Sequence, residues 1–263
     1  MKKFLVIGNP IEHSLSPKMH NYWIKSNNLK AVYDKKKLDV SELDNLIKDV
    51  REKKIEGINV TVPFKNSVIP FLDKLSNEAQ KTQSVNTIYL RDGMVIGHNT
   101  DIEGFDLAIK NTNYDIVGKK ALILGAGGVS PSIIVALNNM NAEKIFISNR
   151  THSKVENLKK TFHKIETVKW GTIPDFDMIV NATSLGLHKD DNIPIDYSKF
   201  GSDKFFYDVI YNPSETNFLK AAKKNGNKTE NGKKMFIFQA QASFKIWNNL
   251  EPKVDDKVME LLT

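Results

Sequence analysis

The 263-residue chain contains no cysteine. Disulfides, thiolate metal sites and cysteine nucleophiles are therefore excluded, and any chemistry must use oxygen and nitrogen side chains. It also lacks any apolar stretch approaching the length of a membrane span. Near the N-terminus, Phe4-Leu5-Val6-Ile7 is cut off at Gly8-Asn9-Pro10, too short for a signal-peptide core, and no cleavage-like site follows. The cytoplasm is the expected location. Acid is in deficit: 38 Lys and Arg against 31 Asp and Glu give a net charge of +7. Such a balance suits nucleic acid, a membrane surface or an anionic small ligand. The longest cationic run is only Lys35-Lys36-Lys37, with no interleaved aromatic platform, and reads as solvated surface. Neither nucleic acid nor a membrane is expected as a partner. No histidine–carboxylate spacing reads as a metal site. Internal repeats and low-complexity segments are absent.

What is present is an alternation of strands and helices, which argues for an α/β fold with a parallel sheet covered on both faces. Short apolar runs predict strands at Phe4–Ile7, Val32–Tyr33, Ile58–Val62, Ala121–Leu124, Lys144–Ser148, Thr167–Trp170, Met178–Asn181 and Phe205–Val209. Thr87–Leu90 and Met94–Ile96 flank Arg91-Asp92-Gly93, a hairpin signal. Ser16-Pro17 is a helix start, with the serine read as cap, and Leu43, Leu46, Ile47 and Val50 have helical spacing. Val68–Leu75 reads as helix interrupted at Pro70. Helices are also expected after Asp101, over Phe236–Leu250 and near Val254–Leu262. The chain divides into two expected domains: 1–101, with the helices of 236–263 packing back on it, and a Rossmann-like doubly wound domain over 102–235. A cleft between them is the natural place for an active site.

Ala121 to Arg150 is the most informative stretch. Gly125-Ala126-Gly127-Gly128-Val129-Ser130 follows a strand and opens a helix whose apolar face carries Val129, Ile133, Leu137 and Met140. Gly125 permits a sharp turn, Gly127 lets backbone N–H groups approach a pyrophosphate, and the helix N-terminus favours the anion. Ser130 stands where the fingerprint has its third glycine. The next strand ends at Ser148-Asn149-Arg150-Thr151, with Lys154 close behind, where NAD-binding units place an acid for the ribose. An acid would repel a 2′-phosphate; Arg150 can grip one bidentately, and Thr151 adds a hydroxyl. The expected cofactor is NADP.

Three further strings lie at strand ends: Gly8 to Pro17, Asn59-Val60-Thr61-Val62-Pro63-Phe64-Lys65, and Asn99-Thr100-Asp101. Together they offer hydroxyls, amides, one cation and one carboxylate, a set that suits a small hydroxylated anion. With Val85-Asn86-Thr87, Gly97 to Asp101, Gly125 to Gly128, Asn149-Arg150-Thr151, Asn181-Ala182-Thr183-Ser184 and Tyr207 to Pro213, the chain resembles the shikimate dehydrogenases over essentially its whole length.

The resemblance implies reversible NADPH-dependent reduction of 3-dehydroshikimate to shikimate, in chorismate and aromatic amino-acid biosynthesis. It assigns Lys65 and Asp101 as the catalytic pair. Ser14, Ser16, Thr61, Asn86, Tyr211 and Gln239 fall at substrate-binding positions. Ala126, Gly128, Val129, Asn149, Lys154, Val209 and Gly232 join Gly125, Gly127, Arg150 and Thr151 at cofactor positions. The pair makes chemical sense, because hydride delivery to a ketone builds alkoxide charge that needs a proton donor within hydrogen-bond reach. Taken alone, Asp101 reads as a helix cap and Lys65 as a surface lysine. One departure is evident: Lys234 replaces the second glycine of the family's Asp-Gly-x-Gly stretch. Two alternatives stay open, a quinate/shikimate dehydrogenase with relaxed cofactor use and a non-catalytic NADP-binding regulatory module. The sequence leaves open a monomer or a homodimer, the proton-transferring member of the pair, and quinate side activity.

Overall fold

Strand β1 (Lys2–Gly8) buries Phe4, Leu5, Val6 and Ile7 together, as a strand covered on both faces must. The computed structural model describes residues 1–262. The chain forms two compact units, Met1–Gly104 with the chain from Ile237 onward, and Phe105–Phe236.

In the first unit, α1 (Ser16–Ser26) leads to β2 (Ala31–Lys37), and α2 (Leu43–Arg51) to β3 (Gly57–Val60). Then come α3 (Phe64–Ser67), β4 (Lys74–Leu75), α4 (Asn77–Thr82) and the hairpin β5 (Thr87–Arg91) and β6 (Met94–His98). The sheet order is β2-β1-β3-β5-β6-β4. It is mixed rather than parallel, because β3–β5 and β5–β6 are antiparallel. Asp92 and Gly93 both take positive φ, 52° and 75°, which closes this hairpin in two residues. The expected helix over Val68–Leu75 is a single turn at Ile69–Phe71 followed by β4. Pro70 removes a donor there, and Asp73 and Ser76 N–H groups bond Val95 and Gly97 of β6 instead. Strand β2 is an edge whose outer half, Lys35 to Lys37, is exposed; charge there blocks further strand pairing.

One face of this sheet packs Leu5, Ile7, Ile58 and Val60 against Leu43, Leu46, Ile47 and Val50 of α2. The other face holds an aromatic group: Phe4, His20 and Trp23 of α1, Tyr33 of β2, and Phe244 and Trp247 further along the chain. Gly57 is required there, since a Cβ would overlap the Trp247 indole. His20 is 1% exposed, and neither ring nitrogen has a hydrogen-bond partner among the described residues. Burial pushes its pKa down from the usual 6.5 to about 3.

The unfolded chain therefore takes up a proton at His20 below pH 6.5 while the folded chain does not until about pH 3. Its contribution to stability is intact above pH 6.5 and is lost as pH falls through that window. In His20→Phe the stability lost between about pH 6.5 and pH 4.5 is expected to be smaller by on the order of 2 kcal/mol, read by urea unfolding. An acid limb identical to wild type would contradict it.

The boundary between the units falls within α5 (Asp101–Lys110). The second unit contains β7 (Lys120–Leu124), α6 (Ser130–Asn139), β8 (Lys144–Ser148), α7 (His152–Thr161), β9 (Glu166–Val168), β10 (Met178–Asn181), β11 (Phe205–Asp208), α8 (Asn217–Lys224) and β12 (Lys228–Glu230). Its sheet is parallel throughout, in the order β12-β11-β10-β7-β8-β9. The chain runs outward from β7 to β9, then returns to β10 on the other side of β7. This reversal opens a crevice at the C-terminal ends of β7 and β10, where doubly wound folds bind ligands. Helix α9 (Lys233–Asn248) starts in this unit and continues in the first, and α10 (Asp256–Glu260) follows. No helix of the described residues is long and apolar enough to cross a membrane.

Candidate active site

In the first unit, three strand ends bring polar side chains to one place. Lys65 is the second residue of α3, which begins directly after Pro63. Asp101 opens α5 just beyond β6, and Asn86 precedes β5. Lys65 Nζ donates to Asp101 Oδ2 at 2.5 Å, and Asn86 Nδ2 donates to Asp101 Oδ1 at 2.9 Å. Both side chains of the ion pair are largely withdrawn from water, with 12% of Lys65 and 7% of Asp101 exposed. The plain readings fail here: Lys65 is not a surface lysine, and the Asp101 carboxylate is spent on Lys65 and Asn86. A buried pair stands only when its remaining hydrogen-bonding capacity is met, and Asn86 supplies part of it.

Asn86 is itself fixed. Its Oδ1 accepts from the Thr100 N–H at 2.8 Å and from Thr87 Oγ1 at 3.0 Å, while Nδ2 also reaches Thr100 Oγ1 at 2.9 Å. Gln239 Oε1 stands 3.4 Å from the same Nδ2. Ser14 is half-buried, and its Oγ accepts from the Ser16 N–H at 3.4 Å. Ser16 is 6% exposed and is the first residue of α1; Leu15 occupies the cap position and no side chain caps this helix. The expected serine cap is thus absent, because Ser16 has already entered the helix. Thr61, half-buried, bonds through its N–H to the Ile7 carbonyl at 2.9 Å.

Beneath these groups lies a layer to whose residues sequence reasoning gave no individual role. Asn59, Thr87, Thr100 and Ser243 are all buried and mutually bonded. A polar residue inside an apolar run was the available signal: Asn59 between Ile58 and Val60, Ser243 between Ala242 and Phe244.

In the second unit, Gly125 takes φ +109°, and an added Cβ would lie 2.7 Å from the Ala182 carbonyl across the crevice. Gly127 is exposed, with open space where a Cβ would go. Ser130 explains itself: its Oγ donates to the Gly125 carbonyl at 2.9 Å and accepts from the Gly127 N–H at 3.2 Å. The hydroxyl closes the loop that a glycine would leave open. Asn149 Oδ1 accepts from the Ala126 N–H at 3.1 Å, tying the loop to the end of β8. Gly128 and Val129 are half-buried in the turn into α6. Arg150, Thr151 and Lys154 stand exposed, and Thr151 makes no side-chain cap bond although it occupies the cap position of α7.

Asp208 ends β11 and accepts from Thr216 Oγ1 at 2.6 Å, Asn181 Nδ2 at 3.0 Å and the Ile210 N–H at 3.0 Å. Burial pushes its pKa up to about 6 against those bonds. Next to it, Val209 bonds the Asn181 carbonyl through its N–H, and a Cβ on Gly232 would overlap the Val209 carbonyl. Gly232 is therefore dictated by close backbone approach. Lys234 is tolerated two residues on, where the backbone needs no glycine conformation and the ammonium turns 3.4 Å from Glu230. Tyr211 belongs to this second unit and stacks on Phe236 at 4.4 Å; burial raises its pKa to about 12.

Residues 6–88 match the shikimate dehydrogenase substrate binding domain, and residues 106–188 match shikimate/quinate 5-dehydrogenase. A shikimate dehydrogenase (NADP(+)) of Pelagibacter ubique is 60% identical over 99% of this chain and 98% of its own. The shikimate dehydrogenase structure from Aquifex aeolicus is 38% identical with a TM-score of 0.91, covering 100% of this chain and 97% of that one. The shikimate 5-dehydrogenase of Thermus thermophilus, solved with NADP(H) and shikimate, is 33% identical with a TM-score of 0.90, covering 100% and 98%. Matches that run the length of both chains, over a sheet order and loop chemistry of this kind, place the chain in the shikimate dehydrogenase family.

Proposed function

We propose that the chain is an NADP-dependent shikimate dehydrogenase, an oxidoreductase that reversibly reduces 3-dehydroshikimate to shikimate, with Lys65 and Asp101 as its catalytic pair. The observation that carries the residue assignment is the 2.5 Å contact of Lys65 Nζ with an Asp101 carboxylate whose other oxygen is held by Asn86. A structural ion pair has no need of placement at the strand ends with Asn86 fixed against its carboxylate.

The residues present fit the cofactor. Exposed Arg150, Thr151 and Lys154 after β8 form a cationic and hydroxyl donor set with no acid at the strand end, as a 2′-phosphate requires. Gly125 to Val129, at the start of the ten-residue α6, suit a pyrophosphate. When bound, NADPH supplies the hydride.

The chain's own residues manage charge and protons. Hydride addition turns the substrate carbonyl oxygen into an alkoxide, which must be protonated as it forms. An ammonium carries three N–H bonds, and Lys65 gives one to Asp101, so the others are available to that oxygen. Lys65 is the proton donor at the carbonyl oxygen. Asp101 keeps the ammonium aimed and accepts from a neighbouring substrate hydroxyl. Asn86 and Gln239 read ring hydroxyls, while Ser14, Ser16 and Thr61 hold the carboxylate side with hydroxyl and backbone N–H donors. Tyr211 contributes its phenol, Val209 and Gly232 shape the nicotinamide side, and Asn149 holds the glycine loop.

The test is an initial-rate matrix of shikimate and quinate, each with NADP and with NAD. Shikimate with NADP is expected to give the highest kcat/KM. A preference for NAD would select the quinate/shikimate alternative, and tight NADPH binding without turnover on either substrate would select a regulatory module.

A further inference from the structure

Tyr33 and Asn59 lie outside every assigned binding or catalytic position, yet they connect the two ends of the site. We propose that Tyr33 is a positioning residue, and that its phenol, acting through Asn59, aligns the Asn86–Asp101–Lys65 array with the Ser14–Ser16 side of the site. This rests on the site reading given above.

Tyr33 is 2% exposed and sits on the edge strand β2. Every part of it is held. The ring stacks on His20 with centroids 4.1 Å apart and planes 4° from parallel. The Tyr33 N–H donates to Asn21 Oδ1 at 3.0 Å, and Asn21 Nδ2 donates to the Tyr33 carbonyl at 2.7 Å. His20 and Asn21 both belong to α1, the helix that begins at Ser16.

The phenol O–H donates to Asn59 Oδ1 at 2.7 Å. The Asn86 carbonyl sets which way the Asn59 amide faces, and the phenol bond satisfies and anchors its oxygen end. With Oδ1 towards Tyr33, Nδ2 faces the Asn86 carbonyl at 3.1 Å, Thr87 Oγ1 at 3.3 Å and Ser243 Oγ at 3.0 Å. Turned over, the amide would set its oxygen against the Asn86 carbonyl, which can only accept, and the phenol would have to give up its own donation to Oδ1. Beyond Asn59, Ser243 Oγ lies 2.7 Å from Thr87 Oγ1 and 3.2 Å from Thr100 Oγ1, and these threonines fix Asn86, which holds Asp101. From Tyr33 to Asp101 every member is buried, so each lost bond leaves an unsatisfied group rather than a hydrated one. A tyrosine wanted only for its ring would leave this chain untouched.

The experiment is a double-mutant cycle on the full chain, with Tyr33→Phe, Asn86→Ala and their combination assayed with shikimate and NADP. Tyr33→Phe keeps the ring and the His20 stack and removes one hydroxyl. It is expected to lower kcat/KM for shikimate about tenfold while leaving the KM for NADP within twofold. Tyr33 reaches Asn86 through Asn59 rather than directly, and independent sites would multiply their losses. Coupling through Asn59 makes the double variant's loss at least threefold smaller than that product. If Tyr33→Phe does not fold, Asn59→Ser reports the same link, with the same loss in kcat/KM and unchanged KM for NADP expected. Losses that multiply, or kcat/KM for shikimate within twofold of wild type in the folded variant, would overturn the proposal. Normal turnover in Asn86→Ala alone would overturn the site reading beneath it instead.

Discussion

Lys65→Ala is expected to lower kcat for 3-dehydroshikimate reduction by roughly a hundredfold to ten-thousandfold, the range a positioned proton donor supplies. Asp101→Asn should fall in the same range for a different reason. The Asn86 Nδ2 bond to Oδ1 survives the change, but the Oδ2 that accepts from Lys65 becomes an amide N–H facing an ammonium. The lysine loses both its counter-charge and its aim. Because each member is mostly buried, removing one also leaves the other charge uncompensated. A stability loss approaching about 3 kcal/mol accompanies either change, and more for Asp101→Asn, where the bare ammonium keeps no acceptor in the pair. Affinity for NADP, assigned above to residues of the second unit, should move less than twofold. Steady-state kinetics, NADP titration and thermal unfolding on each variant separate these effects. A kcat within twofold of wild type in both variants would remove the pair from the mechanism.

Arg150→Ala is expected to raise the KM for NADP by roughly tenfold to a hundredfold while the KM for NAD changes little. Charge-assisted bonds contribute about 1.5–3 kcal/mol each, and the exposure of Arg150 puts the effect towards the lower end through solvent screening. The same exposure means that the NADP preference weakens as salt is raised, which buried donors would not show. Lys154→Ala should act in the same direction more weakly, as a point charge without the planar fork. Measuring KM for both cofactors in wild type and variant at two salt concentrations checks the assignment. Unchanged NADP preference in Arg150→Ala would take the guanidinium out of the 2′-phosphate site.

The parts of this molecule legible in the sequence are those whose determinants are local. Gly125 to Ser130 declares a turn and a helix start within six residues, and Arg91-Asp92-Gly93 declares a hairpin within three. Strands β7, β8, β10 and β11 of the second unit are legible within a residue because parallel strands buried on both faces are largely apolar, whereas the edge strand β12, Lys228-Thr229-Glu230, carries no such run and is not among the expected strands. What escapes depends on distance along the chain. Asn59 meets Ser243 across 184 positions, and Tyr33 meets Asn59 across 26, so neither partner announces the other. The segment Val68–Leu75 has apolar spacing that suits a helix; pairing of its end with β6, which lies beyond α4, decides for a strand. Ser16 reads wrongly as a cap because a serine before proline suits the cap and the first helical position alike, and here Leu15 holds the cap position. Ser130 resembles a defect in a glycine pattern until its two loop-closing bonds give the hydroxyl a purpose.

Reduction of a carbonyl at the expense of NADPH underlies every role assigned above. The measurement to make is NADPH absorbance after adding 3-dehydroshikimate to the purified chain, with shikimate quantified in the product. The expected result is NADPH consumption that depends on 3-dehydroshikimate and yields shikimate in equal amount. A folded protein that binds NADPH yet consumes none on adding 3-dehydroshikimate would contradict it.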